Sequence, residues 1–342
     1  MRILYLALLI ICAARPAPLL AASNAVLLVV SGYGVEGDKS RPGFEMDELS
    51  QAWAILRANG LDVEIASPQG GKVVAARYDP AKPYNAAFLA DATAVAALGA
   101  TVPFASAAKR DYAAVYVMGG KGAMFDLHGD TALQALIARA WQAGGVVAAV
   151  CHGPAALVRV TLADGTPLLR GRQATGFSGE EEEAFGKEIS KAFDFQLEAE
   201  MRRVGARFTE AEMMLPHVAV DGRLVTGQNP YATPATTEAM VRAMGRTPVA
   251  RAPYADERSM NLLATLTPER AAAAGKAIGA KPADYDAPLI AAWGHLRAMS
   301  AANAAELKRG LTAMEVAKPY YPEPQLDEAM AKARAKLASF GG

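Results

Sequence analysis

Cysteine and histidine are both scarce in this sequence: its 342 residues contain two cysteines and four histidines. A disulfide framework is therefore excluded, because only Cys12 and Cys151 could contribute to one. No two histidines have the spacing of metal ligands, and no cluster of histidine and cysteine of the zinc-binding kind exists. The sequence therefore predicts no metal site.

An excess of charge of either sign is also lacking, since 35 basic residues balance 35 acidic ones. No basic stripe suggests a nucleic acid, and no polybasic segment suggests an anionic membrane surface. We therefore expect neither as a partner.

The N-terminal apolar run, residues 3–14, is too short to span a bilayer, which takes about 20 apolar residues. It follows the basic Arg2 and precedes small residues at 20–23, which is the layout of a secretory signal. We therefore expect residues 1–23 to be a signal peptide. The mature protein would be exported, either to a periplasm or out of the cell, with no membrane contact after cleavage.

Two alternatives to a cleaved signal peptide are considered for the N-terminal segment. An uncleaved anchor stays open because Pro16 and Pro18 blur the cleavage site, whereas a lipoprotein signal is disfavoured because Ile11, not a small residue, precedes Cys12. Cleavage would leave Cys151 alone in a compartment that favours disulfides. Such a thiol is either buried and inert or kept for its chemistry.

Strand-length apolar runs alternate with helical patterns as far as Gly245. Strands are predicted at residues 25–31, 61–67, 112–120 and 146–150, a hairpin at 217–227, and helices at 44–60, 130–145 and 233–245. Strands that are apolar on both faces belong in a parallel sheet covered by helices on both sides. We therefore expect an α/β domain over residues 24–245.

Residues 246–342 are rich in alanine and contain no convincing strand. We expect an α-helical C-terminal extension that packs on the α/β domain, forms an oligomer contact or lies over the active site. Within it, Trp293 is predicted to pack in the interior and His295 to lie on the surface.

The stretch "VVAAVCHGPAALV" (146–158) places a cysteine where a buried strand turns into a helix. A nucleophile elbow has this form, with Gly153 allowing close backbone approach and Pro154 suiting a first helical turn. A helix N-terminus favours a thiolate, so Cys151 is predicted to be an activated nucleophile. The alternative is a small buried hydrophobic residue, a common fate of cysteine.

Four motifs in order resemble the ThiJ/PfpI superfamily: "VMGGKGAMFDL", "GGVVAAVCHGPAAL", "RQATGFSGEEEEAFG" and "DGRLVTGQNP". Together with "RPGFEMDELSQAWAILRANGLDVEIASPQGG", they are most similar to the branch of glyoxalase III, the glutathione-independent glyoxalases, and related heat-shock chaperone-like proteins. The resemblance covers residues 25–245. It implies a flavodoxin-like three-layer sandwich with a mostly parallel sheet and a nucleophile elbow, and it suggests a homodimer.

The resemblance also implies site residues. Cys151 matches the family nucleophile, His152 the adjacent histidine, and Glu48 the acidic residue that reaches the sulfur from the first helix. The third triad member falls in the four-glutamate run, where register selects Glu182, with Glu181 and Glu183 as fallbacks. Glu45 and Asp47 are expected on the surface.

The segment Gly119-Gly120-Lys121 follows a strand at the end where open parallel sheets bind ligands. A backbone N–H of this segment and that of His152 could form an oxyanion hole, although a plain turn is the alternative. Lys121 stands where close relatives often carry histidine, which leaves substrate preference open.

These residues lead to three functional hypotheses. The first is conversion of a 2-oxoaldehyde such as methylglyoxal to a 2-hydroxy acid, without metal or organic cofactor, by way of a cysteine hemithioacetal. The second is a cysteine-dependent amidase or peptidase; glutaminase is disfavoured because the downstream His217 lacks its acidic partner, Ala219 standing in that place. The third is an envelope chaperone or redox sensor, for which an exposed thiolate would serve.

Overall fold

The computed structural model describes residues 24–340. The predicted signal peptide lies outside the described residues, and export stays a prediction. Across residues 24–340, no helix combines the length and apolar character needed to cross a membrane.

A seven-stranded sheet forms the centre of the α/β region, with strand order β3-β2-β1-β4-β5-β9-β8. All neighbouring strands are parallel except β8, which pairs antiparallel with β9. Two further strands, β6 and β7, form a separate parallel pair. The strands are β1 Ala25–Val29, β2 Asp62–Ser67, β3 Val102–Pro103, β4 Ala114–Val117, β5 Val146–Val150, β6 Gln173–Ala174, β7 Arg207–Phe208, β8 Val218–Asp221 and β9 Leu224–Gly227.

The central strands β4 and β5 are buried along their whole length, which is why their sequences are continuously apolar. The strand order reverses between β1 and β4, and β5 lies next to β4. Ligands of open α/β sheets bind at the carboxyl ends of strands beside such a reversal. The fold therefore places Cys151, directly after β5, at the expected position for a site.

Helices connect these strands: α1 Met46–Ala58, α2 Pro83–Ala90, α3 Ala92–Gly99, α4 Phe104–Ala107, α5 Ala123–Asp126, α6 Thr131–Gln142, α7 Gly179–Phe185, α8 Leu197–Arg203 and α9 Thr233–Ala243. The predicted mostly parallel α/β fold is confirmed. The predicted elements occur with their ends trimmed by a few residues, because side-chain burial continues past the last regular hydrogen bond. The helices α2 and α3 and the strands β6 and β7 were not predicted. Each of these two strands has only two residues, too few for a periodic signal.

The C-terminal region is helical, as predicted: α10 Ala255–Ala264, α11 Ala271–Ala280, α12 Ala287–Ser300, α13 Ala304–Ala317 and α14 Pro324–Ser339. The helix α13 begins at a cap in which the Asn303 side chain accepts a hydrogen bond from Glu306 N at 3.0 Å. The helices α12 and α13 approach closely at two glycines: a Cβ on Gly294 would lie 2.7 Å from the carbonyl oxygen of Gly310.

Two hydrophobic clusters divide the interior. The first surrounds the sheet, and the second lies among the C-terminal helices but also includes Met213, Met214 and Leu215 from the α/β region. Of the three arrangements expected for the extension, the structure therefore shows packing on the α/β region. Trp293 is fully buried in the second cluster and His295 is exposed, as predicted.

Candidate active site

Cys151 occupies a strained turn between β5 and a five-residue 3₁₀ helix, Gly153–Leu157. Its φ of 58° is in the left-handed region, which is unfavourable for a residue with a Cβ. Two hydrogen bonds hold it there: Cys151 N donates to Gly227 O at 3.0 Å, and Phe177 N donates to Cys151 O at 2.8 Å. A Cβ on Gly153 would lie 2.4 Å from Val117 O, so the turn requires glycine at that position. The geometry is that of a nucleophile elbow.

His152 lies between the sulfur and a carboxylate. Its Nδ1 is 3.4 Å from Cys151 Sγ, and its Nε2 is 2.7 Å from Glu182 Oε2. All three side chains are buried, and the imidazole packs against the ring of Phe177 with centroids 4.4 Å apart. The arrangement can accept a proton from the thiol while the carboxylate orients the ring.

The structure brings Glu182, and neither of its fallbacks, to His152. The Glu181 carboxylate has other partners: it accepts hydrogen bonds from Met214 N and from Asn229 Nδ2, both at 2.9 Å. Glu183 is exposed and pairs with Lys187. Successive residues of α7 point in different directions, and this rotation separates the three glutamates.

Glu48 is completely buried beside the sulfur. Gly119 N donates to its Oε2 at 2.6 Å, while Oε1 is buried without a full hydrogen bond. Burial raises the pKa of the Glu48 carboxyl well above its usual range, which favours its neutral form. It lies close enough to Cys151 for each group to alter the pKa of the other.

Burial also raises the pKa of the Cys151 thiol well above its usual range, and a negative charge on Glu48 would raise it further. This direction is opposite to that expected for a thiolate stabilised by a helix N-terminus. The helix that follows is a short 3₁₀ segment, and the side chain is only 4% exposed to water. A neutral Glu48 removes the repulsion, and His152 can take the thiol proton when substrate arrives.

The glycine turn after β4 lies directly against the elbow. A Cβ on Gly119 would lie 2.6 Å from the Cβ of Cys151, and one on Gly120 would lie 2.5 Å from Glu45 N. Because Gly119 N–H is bonded to Glu48, the N–H group of Gly120 is the one that bonds the sulfur, and this bond lowers the pKa of the Cys151 thiol. Gly120 is thus the member of the pair placed to stabilise negative charge.

Lys121 lies at the edge of the same site. Its Nζ donates to the carbonyl oxygen of Phe185 at 2.6 Å, so the side chain joins the glycine turn to the end of α7. It lines the cavity above Cys151 but is not among the groups bonded to the sulfur or to His152.

The expectation that Glu45 and Asp47 are surface residues is wrong. Glu45 lines the cavity, and burial raises its pKa to about 7. Asp47 accepts hydrogen bonds from Lys82 Nζ at 2.5 Å and Asn85 Nδ2 at 2.6 Å. The start of α1 is drawn inward because Glu45 N donates to Gly119 O at 3.1 Å. Glu45 precedes Glu48 by one helical turn, and this spacing was a usable signal that both face the same side.

A cavity of about 330 Å³ opens above the sulfur. Aromatic and aliphatic side chains supply much of its wall. The lining consists of Pro42, Glu45, Ala76, Gly120, Lys121, Cys151, His152, Phe177, Glu181, Phe185, Met214, Asn229, Pro230 and Tyr231. Met214 and Tyr231 were not found from the sequence, because no motif marks them and only tertiary packing brings them to the site.

His217 is placed away from this chemistry. Its Nε2 lies 2.9 Å from Thr209 Oγ1, and it does not line the cavity. Within residues 24–340, no group of three or more histidine, cysteine, aspartate or glutamate side chains is placed to hold a metal ion.

Curated relatives are consistent with this geometry. The chain is 36% identical to the glutathione-independent glyoxalase hsp3102 of Schizosaccharomyces pombe over 143 residues, 40% of this chain and 59% of that protein. It is 33% identical to glyoxalase 3 of Candida albicans over 137 residues, 39% of this chain and 58% of that protein. The chain thus aligns with under two thirds of the length of these relatives.

Solved structures and a family profile extend the match. Glyoxalase III of Candida albicans superimposes with a TM-score of 0.58 at 25% identity, covering 64% of this chain and 96% of that one. The rapid encystment protein of Francisella tularensis gives 0.59 at 26% identity, covering 64% and 98%. The DJ-1/PfpI family profile matches residues 40–243. The chain therefore belongs to the DJ-1/PfpI family, and its relatives support the glyoxalase III branch.

Proposed function

We propose that this protein is a glutathione-independent glyoxalase that converts a 2-oxoaldehyde, such as methylglyoxal, to a 2-hydroxy acid. One observation carries the proposal: Cys151 lines a cavity, and its sulfur lies beside both the His152–Glu182 pair and the buried carboxyl of Glu48, whose pKa is raised. The names of the relatives point to the same activity.

The first step is addition of the thiol across the aldehyde carbonyl. The Cys151 proton passes to His152 Nδ1, and the sulfur forms a bond to the aldehyde carbon while the C=O electron pair moves to oxygen. The Gly120 N–H, which bonds the sulfur at rest, is placed to stabilise negative charge here. Protonation of that oxygen gives a neutral hemithioacetal.

The second step moves hydrogen between the two carbons of the hemithioacetal. A base, either His152 or Glu48 after it has released its proton, removes the C1 hydrogen and leaves an enediol. Protonation at C2 gives a thioester of the 2-hydroxy acid, and water then cleaves the C–S bond to release the acid and restore the thiol. The oxidation of C1 balances the reduction of C2, so the reaction needs no external oxidant or reductant.

The test is turnover of methylglyoxal without glutathione or metal, followed as aldehyde lost and lactate formed. We expect Cys151→Ala and Glu48→Gln to abolish turnover. Glu183→Gln is the matched control, because this exposed glutamate of α7 does not contact His152. Turnover that persists in Cys151→Ala would refute the proposal, and absence of turnover in the unmodified protein would move attention to amide substrates.

The redox-sensor hypothesis receives less support from the site. A sensor thiol is an accessible thiolate, whereas Cys151 is buried and burial raises its pKa. The amidase alternative shares the elbow, and hydrolysis of amides by protein that does not consume aldehydes would favour it.

Export is a second proposal, independent of the chemistry. We expect protein recovered from an envelope or culture fraction to begin near Ser23 or Asn24, as read by N-terminal sequencing. Protein that begins at Met1 in that fraction would favour the uncleaved anchor.

A further inference from the structure

Met214 contributes to the wall of the cavity in an unusual conformation. Its φ of 67° is in the left-handed region, where a residue with a long side chain is uncommon. The residue is nonetheless buried, and it lines the cavity that contains Cys151. Such a conformation persists only where surrounding contacts impose it.

Those contacts come from two directions. From the α/β region, Glu181 accepts a hydrogen bond from Met214 N at 2.9 Å. From the C-terminal helices, Trp293 Nε1 donates to Met213 O at 3.1 Å, and Trp293 itself is fully buried. The segment is therefore held between α7 and α12.

Ion pairs at Glu212, the residue before Met213, also attach this segment to the C-terminal helices. Arg297 Nε lies 3.3 Å from Glu212 Oε2, and Arg309 also binds this carboxylate. Arg309 further donates to Leu263 O at 2.8 Å, so the same side chain joins α10, α13 and the segment before Met214. The two arginine side chains are mostly shielded from water, whereas the Glu212 side chain is 37% exposed.

Tyr231, like Met214, lines the cavity and packs with the hydrophobic cluster of the C-terminal helices. The pKa of its phenol is raised by burial and by the nearby Asp256 and Asp286, both at the start of C-terminal helices. Tyr84 OH donates to Asp256 Oδ2 at 2.7 Å and thereby ties α10 to α2.

The cavity is larger than methylglyoxal requires. It measures about 330 Å³, whereas methylglyoxal is equivalent to only a few water molecules, each occupying about 30 Å³ in the liquid. Phe177, Phe185, Met214 and Tyr231 are the large apolar and aromatic side chains in its lining. An aromatic or long aliphatic substituent would fill it and bury apolar surface.

We propose that the C-terminal helices build a substituent-binding wall, formed by Met214 and Tyr231, that selects 2-oxoaldehydes with an aromatic or large apolar substituent. The proposal rests on the proposed glyoxalase function for its substrate class. Met214 and Tyr231 act as specificity residues, and Trp293 acts as a positioning residue through Met213.

The first test compares kcat/KM for phenylglyoxal with that for methylglyoxal in the full chain. We expect the unmodified protein to prefer phenylglyoxal. In Met214→Ala and Tyr231→Ala the ratio should fall by about tenfold, the size of effect that one apolar contact has on substrate choice. Met330→Ala is the matched control, because Met330 is a buried methionine of the same cluster that does not line the cavity.

The second test measures the wall without turnover. Cys151 is alkylated with iodoacetamide or with its N-phenyl derivative, and peptide mass spectrometry gives the rate at Cys151 alone. The quantity compared is the alkylation rate with the N-phenyl derivative divided by the rate with iodoacetamide. Relative to the same ratio for free cysteine, it should be high in the unmodified protein and lower in Met214→Ala. Trp293→Phe, which removes the N–H donor but keeps a large ring, should lower the ratio in the same direction, with a thermal unfolding scan to confirm that it is folded.

The outcomes separate the two proposals. If no 2-oxoaldehyde is consumed but the alkylation ratio falls in the wall variants, the wall is supported and the glyoxalase function is refuted. If aldehydes are consumed, and the wall variants have the same kcat/KM ratio and the same alkylation ratio as Met330→Ala, the wall proposal is overturned.

Discussion

The α/β region and the C-terminal helices contribute to the site in different ways. Within residues 24–340, the α/β region supplies every group that bonds the sulfur or the imidazole, and it holds them through backbone constraints such as the positive φ of Cys151. The helices supply no residue to the cavity lining, but they hold Met213 and the adjoining wall by side-chain contacts. The proposed substrate selection therefore depends on contacts from helices that can be altered without changing any residue that bonds the sulfur.

The largest effect on turnover is expected from Gly119→Ala, which alters the α/β region at its tightest point. The new Cβ would lie 2.6 Å from the Cβ of Cys151, so backbone must shift. We expect turnover to fall to background and the free energy of unfolding to drop by about 1–3 kcal/mol, as for other overpacked sites. Gly129→Ala is the control, because a methyl group added there would have no neighbouring atom within 4 Å; equal loss in both variants would contradict the prediction.

Glu182→Gln tests the same region without altering its packing. The amide can still contact His152 Nε2 but cannot stabilise an imidazolium, so kcat should fall by about a hundredfold or more with little change in KM. Steady-state kinetics with methylglyoxal measures both constants. An unchanged kcat would remove Glu182 from the mechanism.

Tyr84→Phe weakens the contact between the α/β region and the C-terminal helices, because it removes the hydrogen bond from Tyr84 to Asp256. The buried hydroxyl donates to Asp256 at 2.7 Å and lies 3.1 Å from Asp47, and its loss should cost about 1–3 kcal/mol of stability. We expect thermal unfolding of the helices to shift to lower temperature, with turnover of methylglyoxal changed only a few-fold.

Tyr112→Phe is the matched control for this change. Its hydroxyl bonds Glu64 at 2.7 Å, wholly within the α/β region. If Tyr112→Phe lowers the unfolding temperature of the C-terminal helices as much as Tyr84→Phe does, the hydrogen bond between Tyr84 and Asp256 has no special role in holding the two regions together.

The smallest effect on turnover is expected from Glu45→Gln. Burial raises the pKa of Glu45 to about 7, from 4.5 for an unperturbed glutamate. The folded protein therefore binds this proton more tightly than the unfolded chain, and its stability decreases as pH rises from about 4.5 through 7. Glu45→Gln should make this decrease smaller in denaturant titrations across that pH range, because other buried carboxyl groups such as Asp126 contribute to it as well. Glu36→Gln, at an exposed position, should leave it unchanged.

The same variant should move alkylation of Cys151 to lower pH. A negative charge on Glu45 raises the pKa of the Cys151 thiol, and glutamine carries none. The alkylation rate measured across a pH series checks this direction, and a midpoint that moves to higher pH would contradict it.

Prediction from the sequence succeeded where the signal is local. The run of buried residues in β5 and the small residues after it identify the elbow, because a strand apolar on both faces followed by glycine and proline has few other structures. The register that selected Glu182 also agrees with the contact to His152. The inward position of Glu45 could have been inferred from its helical spacing to Glu48.

Other features depend on distant parts of the chain. The resting state of Cys151 could not be read from its neighbours, because burial and the carboxyl of Glu48, more than a hundred positions away, outweigh the short helix that follows it.

Periodicity and local backbone preference were enough to predict the parallel α/β fold, the elbow and the helical character of the C-terminal region. The pKa shifts of Glu45, Glu48 and Cys151, and the presence of Met214 and Tyr231 in the cavity wall, became apparent only from the folded structure. The reason is physical: burial and long-range contact set pKa values and cavity shape, and neither is encoded in the spacing of adjacent residues.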